Sequence, residues 1–85
     1  SESAVDRIRR ELEKISEANE RYEMPLVFLG HIARTMGDQE DAIQLYRRAL
    51  RINGKNPEAT SGLRLLQMRK KKSSGNFFTR LFTKH

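Results

Sequence analysis

No cysteine and no tryptophan occur in these 85 residues. The absence of cysteine excludes a disulfide framework, a cysteine zinc site and a thiol nucleophile. It suits a reducing, cytoplasmic setting. No apolar run approaches the roughly 20 residues that span a bilayer, and no secretory signal pattern opens the chain. Histidine is limited to His31 and His85, too far apart in sequence to read as a metal pair, so no metal site and no cofactor are expected. Proline occurs only at positions 25 and 57. Acid is missing altogether from residues 64–85.

That last absence divides the chain. Residues 1–63 carry ten Lys/Arg against eleven Asp/Glu, whereas residues 64–85 carry Arg64, Arg69, Lys70, Lys71, Lys72, Arg80 and Lys84 unopposed. A near-neutral body with a cationic tail points to an anionic contact for the tail: a membrane surface, nucleic acid or an acidic protein face. The length allows one small, marginally stable domain. Ser1 in place of Met suits a processed piece or an excised segment of something longer.

The chain reads as helical throughout. Ser3 is placed to cap a first helix, with Asp6 three positions on. Val5, Ile8, Leu12 and Ile15 make one apolar stripe, whose spacing runs on through Asn19 to Tyr22. The segment is either an amphipathic helix laid against the next hairpin or a short coiled coil with Asn19 setting the register. Pro25 starts a second helix reaching about Met36, and Gly37 supplies a left-handed stop. Asp38 caps a third, with Glu40 and Asp41 at its positive end and Arg47, Arg48 and Arg51 towards its negative end. Asn53-Gly54 ends it. Asn56 and Pro57 then start a fourth helix reaching about Lys72, with Ala59, Leu63 and Leu66 on one face. Residues 1–72 are thus the helical domain, and residues 73–85 a flexible linker followed by a basic, aromatic tail.

The hairpin from Leu26 to Pro57 resembles a tetratricopeptide repeat (TPR), a 34-residue helix-turn-helix unit. With Glu23 as its first position, the pattern residues are Leu26, Leu29, Gly30, Ala33, Ala42, Tyr46 and Ala49. Gly30 and Ala42 allow close helix approach, Ala49 leaves room for the next helix, and Leu26, Leu29 and Tyr46 fill the gaps. Departures are Gly54 where proline is common, and Leu26 and Ala33 where large aromatics are usual. Ile8, Leu12 and Ile15 stand 34 residues before Ala42, Tyr46 and Ala49, so the first helix reads as the second helix of a degenerate preceding repeat. The fold expected is all-α, with about four helices in TPR-like antiparallel hairpins plus a short C-terminal amphipathic helix. Each repeat buries its face on its neighbours, so a chain with this few units is expected either to self-associate or to belong to a longer array.

The resemblance implies a concave partner-binding groove lined by first helices. By position it comprises Val27, His31, Arg34 and Thr35, with Ser61, Leu65 and Met68. Val27 and His31 stand where some family members place Lys and Asn to hold a chaperone C-terminus, so that ligand is disfavoured. No nucleophile triad, phosphate loop or carboxylate pair stands out, and the chain reads as a non-enzyme. The tail is a second docking element. Lys70, Lys71 and Lys72 precede Phe77, Phe78, Leu81 and Phe82, which a helix would gather on one side around Arg80. This suits an anionic bilayer or a partner groove, including that of another copy. Single-stranded nucleic acid explains the cations but not four large apolar groups on one face. The expectation is a protein-interaction scaffold with such a docking tail. A nucleic-acid-associated helical adaptor and a self-assembling scaffold are the alternatives, and a disordered solubilising tail is the plainest reading of the last segment.

Overall fold

A computed structural model describes residues 2–68. They form four helices, α1 (Ala4–Ala18), α2 (Met24–Thr35), α3 (Gln39–Ile52) and α4 (residues 57–68), with no strand among the described residues. The expected all-α hairpin architecture is what they adopt. The expected tail helix and the tail residues Lys70, Lys71, Lys72, Phe77, Phe78, Arg80, Leu81 and Phe82 lie outside the described residues.

The Ser3 hydroxyl caps α1 by accepting the Asp6 N–H at 3.1 Å, which satisfies one of the orphan amides of the first turn. The helix stops at Ala18, short of the expected Tyr22. Asn19 still donates its N–H to the Ile15 carbonyl at 3.0 Å, but its φ of −131° and ψ of 81° leave the helical region. Nothing rewards continuation: Asn19 is exposed and Tyr22 is 51% exposed, so the apolar stripe has no surface to cover there. Asn19 therefore ends the helix, and its part in a coiled-coil register falls away.

Between α2 and α3 the chain makes a Schellman turn. Gly37 N–H bonds the Arg34 carbonyl at 3.1 Å and Asp38 N–H bonds the Ala33 carbonyl at 2.8 Å. Gly37 has φ +88°, the left-handed value expected of it. Asp38 holds the N-cap position of α3 but makes no side-chain cap bond. Its charge reinforces the acidic first turn instead. Asn56 is a full cap: its Oδ1 accepts the Ala59 N–H at 2.9 Å.

The core belongs to the last three helices. Leu26, Val27, Leu29, Ala33, Ala42, Ile43, Tyr46, Ala49, Ala59 and Leu66 form one buried cluster. Tyr46 is its centre. A Cβ on Gly30 of α2 would lie 2.6 Å from the Tyr46 ring, and one on Gly62 of α4 would lie 2.5 Å from it. The ring is held between two bare backbones. By contrast α1 has no buried residue; Leu12 packs against the cluster, while Ile8 and Ile15 remain 52% and 42% exposed.

Candidate partner-binding face

Met24, Val27 and His31 recur at three- and four-residue steps along α2, so they share one side of it. That side meets the start of α4. Asn56 Nδ2 lies 3.2 Å from the Met24 sulfur, and His31 Nε2 lies 3.1 Å from Glu58 Oε2. Val27, between them, is fully buried. Its expected place in the groove is corrected accordingly: the N-terminus of α4 covers the position, and the side chain joins the core.

His31 links three helices. Its Nδ1 stands 2.6 Å from the Tyr46 hydroxyl on α3, while Nε2 faces Glu58 on α4. The neutral ring satisfies both contacts in one tautomer, with Nε2–H donating to the carboxylate and Nδ1 accepting from the tyrosine O–H. Burial pushes the Tyr46 hydroxyl above its ordinary pKa, a trend that the nearby Arg34 charge opposes. Because Tyr46 is fully buried, this Tyr–His–Glu chain ends in packed interior and not at a reachable nucleophile. It ties helices together. Thr35 spends its hydroxyl on the His31 carbonyl at 2.9 Å.

The other expected groove residues differ in exposure. Arg34 is half-buried, and Thr35 and Ser61 are open to solvent. Leu65 and Met68 are 52% and 59% exposed. Sequence reasoning missed two members. Phe28, 45% exposed with its ring centroid 6.5 Å from that of His31, falls outside the positions carried over from the family pattern. The other is Glu58, whose partner stands 27 residues away, so no local pattern marks the pair.

A second polar junction ties one unit to the next. The Glu23 carboxylate accepts from Asn53 at 2.7 Å and from Asn56 at 2.9 Å. These two bonds, Asn56 first, hold Glu23 below the ordinary carboxylate pKa. On the other flank, Val5 and Ile8 of α1 face His31, Ile32, Thr35 and Met36 of α2 across a groove of about 220 Å³ whose lining is almost wholly apolar. No group of three His, Cys, Asp or Glu that could hold a metal occurs among the described residues.

Over 54 residues, 61% of the chain, the sequence is 41% identical to a TPR repeat-containing protein of Methanocaldococcus jannaschii. That stretch bears out the resemblance to the tetratricopeptide-repeat family. It spans about a tenth of the length of that relative. No protein-family profile and no solved structure matches it. In this chain the small-residue positions do what the repeat pattern requires. Gly30 receives the Tyr46 ring, and Ala42 and Ala49 are wholly buried.

Proposed function

We propose that the chain is a non-catalytic protein-interaction module of the TPR type. It takes a peptide segment along the rim formed by Phe28, His31, Arg34 and Thr35 of α2 with Ser61, Leu65 and Met68 of α4. One observation carries the reading: Phe28, Leu65 and Met68 are each 45–59% exposed on the two helices that the His31–Glu58 bond holds together. Large apolar groups around a few polar ones suit peptide recognition, in which apolar anchors supply affinity and polar groups fix orientation. A cytoplasmic setting accords with the lack of cysteine.

Peptides selected from a random library against the full chain test this. Leu65→Asp and Arg34→Glu should each weaken a selected peptide at least tenfold, while Arg47→Glu on the exposed side of α3 should not. Equal weakening by all three, or failure to select any binder, would overturn it. Retention of RNA that tracks salt and ignores Leu65→Asp would favour the nucleic-acid adaptor.

A further inference from the structure

The groove between α1 and α2 can be understood by laying one half of the chain over the other. Ile8, Leu12 and Ile15 of α1 hold the places of Ala42, Tyr46 and Ala49 of α3, 34 residues on. The α3 residues are all fully buried, because α2 covers them on one flank and α4 on the other. Among the described residues only α2 packs on the α1 positions, and Ile8 and Ile15 stay about half exposed. What α1 wants is therefore a helix in the position that α2 holds against α3.

The side chains also say what kind of helix. Where α3 offers Ala42 and Ala49, which let a glycine-bearing helix come close, α1 offers the larger Ile8 and Ile15. An occupant cannot approach as closely as α2 approaches α3. Large side chains must bridge the wider gap, so the complement is a short helix with bulky apolar residues on one face. The sequence holds one such segment: Phe77, Phe78, Leu81 and Phe82, spaced i, i+1, i+4, i+5. Its charge also suits the body. Residues 69–85 hold six bases and no acid, whereas residues 1–63 hold one more acid than base. Glu2 and Glu11 stand three residues from Val5 and Ile8, the two α1 residues that line the groove, and the chain already pairs them with Arg10 and Lys14, so the local fit rests on the apolar face.

We propose that the α1–α2 groove, lined by Val5, Ile8, Ile32 and Met36, takes the C-terminal segment 77–82 of a second copy of this chain. Reciprocal exchange closes a dimer in which each tail covers the open flank of its partner's α1. The groove shares His31 and Thr35 with the peptide rim but does not include Arg34, Leu65 or Met68, whose variants therefore test the rim alone, so the two readings can fail separately.

The test uses the full chain and a fluorescent peptide of residues 73–85. Sedimentation equilibrium of the full chain should give a mass rising with concentration from 9.9 kDa towards twice that value. Leu81→Ser with Phe82→Ser should hold it at the monomer. That tail variant, its groove now free, should bind the labelled peptide saturably. Ile8→Asp or Met36→Lys added to it should weaken binding at least tenfold, with helical circular dichroism unchanged because both side chains are more than half exposed. A monomer at every concentration, with no peptide binding to the tail variant, would overturn the proposal. A monomer whose tail variant does bind the peptide would also overturn it, in favour of a tail folded back on its own copy. Peptide binding to vesicles of one part phosphatidylglycerol to three parts phosphatidylcholine, without binding to the tail variant, would overturn it too and assign the tail to membranes.

Discussion

Gly30→Ala should destabilise this protein, although the same change in most helices stabilises it. In an exposed helix interior, alanine in place of glycine gains about 1 kcal/mol. Here the new Cβ would sit 2.6 Å from Tyr46 Cε1 and 2.8 Å from Cδ1. A ring can usually swing away from such a contact. This one cannot, because its other edge lies against Gly62, where an added Cβ would be only 2.5 Å from Cζ. Overpacking of a filled core costs about 1–3 kcal/mol; with the ring blocked on both edges the cost here should be about 2–3 kcal/mol, so the net loss should be about 1–2 kcal/mol, or roughly 4–16 °C in Tm for a domain of this size. Urea unfolding followed by circular dichroism reads it. The control is Tyr46→Leu, which removes the ring carbons that the new Cβ would meet. On that background Gly30→Ala should be neutral or stabilising, giving a coupling of about 1–3 kcal/mol in the double-mutant cycle. A neutral or stabilising Gly30→Ala in the presence of Tyr46, or the same penalty on both backgrounds, would refute the idea that a pinched ring sets the helix spacing.

Asn56→Ala removes both the α4 cap and a bond to Glu23, and should cost about 1–2 kcal/mol in the same urea assay. Gly37→Ala meets no neighbour but must adopt φ +88°, so it should lose about 1 kcal/mol through the backbone alone. Glu23 has a carboxyl pKa that is lower folded than unfolded. Its contribution is therefore present above the unfolded value and lost as pH falls through the folded one. Glu23→Gln should accordingly flatten the acid side of the stability–pH profile while leaving its alkaline side in place; an unchanged acid limb would count against the Asn53 and Asn56 bonds as its cause.

Repetition and local chemistry made most of the architecture legible. Pro25, Gly37, Asn56 and Pro57 punctuate the chain by backbone rules that need no tertiary partner, and each stands at a helix end in the structure. The 34-residue spacing located Tyr46 and the small residues around it. What escaped notice depends on distant neighbours. The exit of α1 at Ala18 reflects the absence of any surface for Asn19 and Tyr22 to cover, which periodicity alone does not reveal. Val27 looked like a groove residue because the family pattern describes which helix lines the groove, not how far the next helix leans over it. Glu58 and Phe28 joined the candidate site only through contacts with His31, and the role of Gly62 became visible only once the Tyr46 ring was in place.

The Tyr46 ring also has a mechanical meaning. A flat group seated between two glycine backbones resists sliding of α3 along either α2 or α4, because any translation drives its edge into main chain. The three helices must move together. The equivalent place on α1 is held by Leu12, a flexible side chain with no backbone clasp. Bending and twisting under load should concentrate at the α1–α2 seam, making the last three helices a rigid block and α1 a compliant flap hinged beside it.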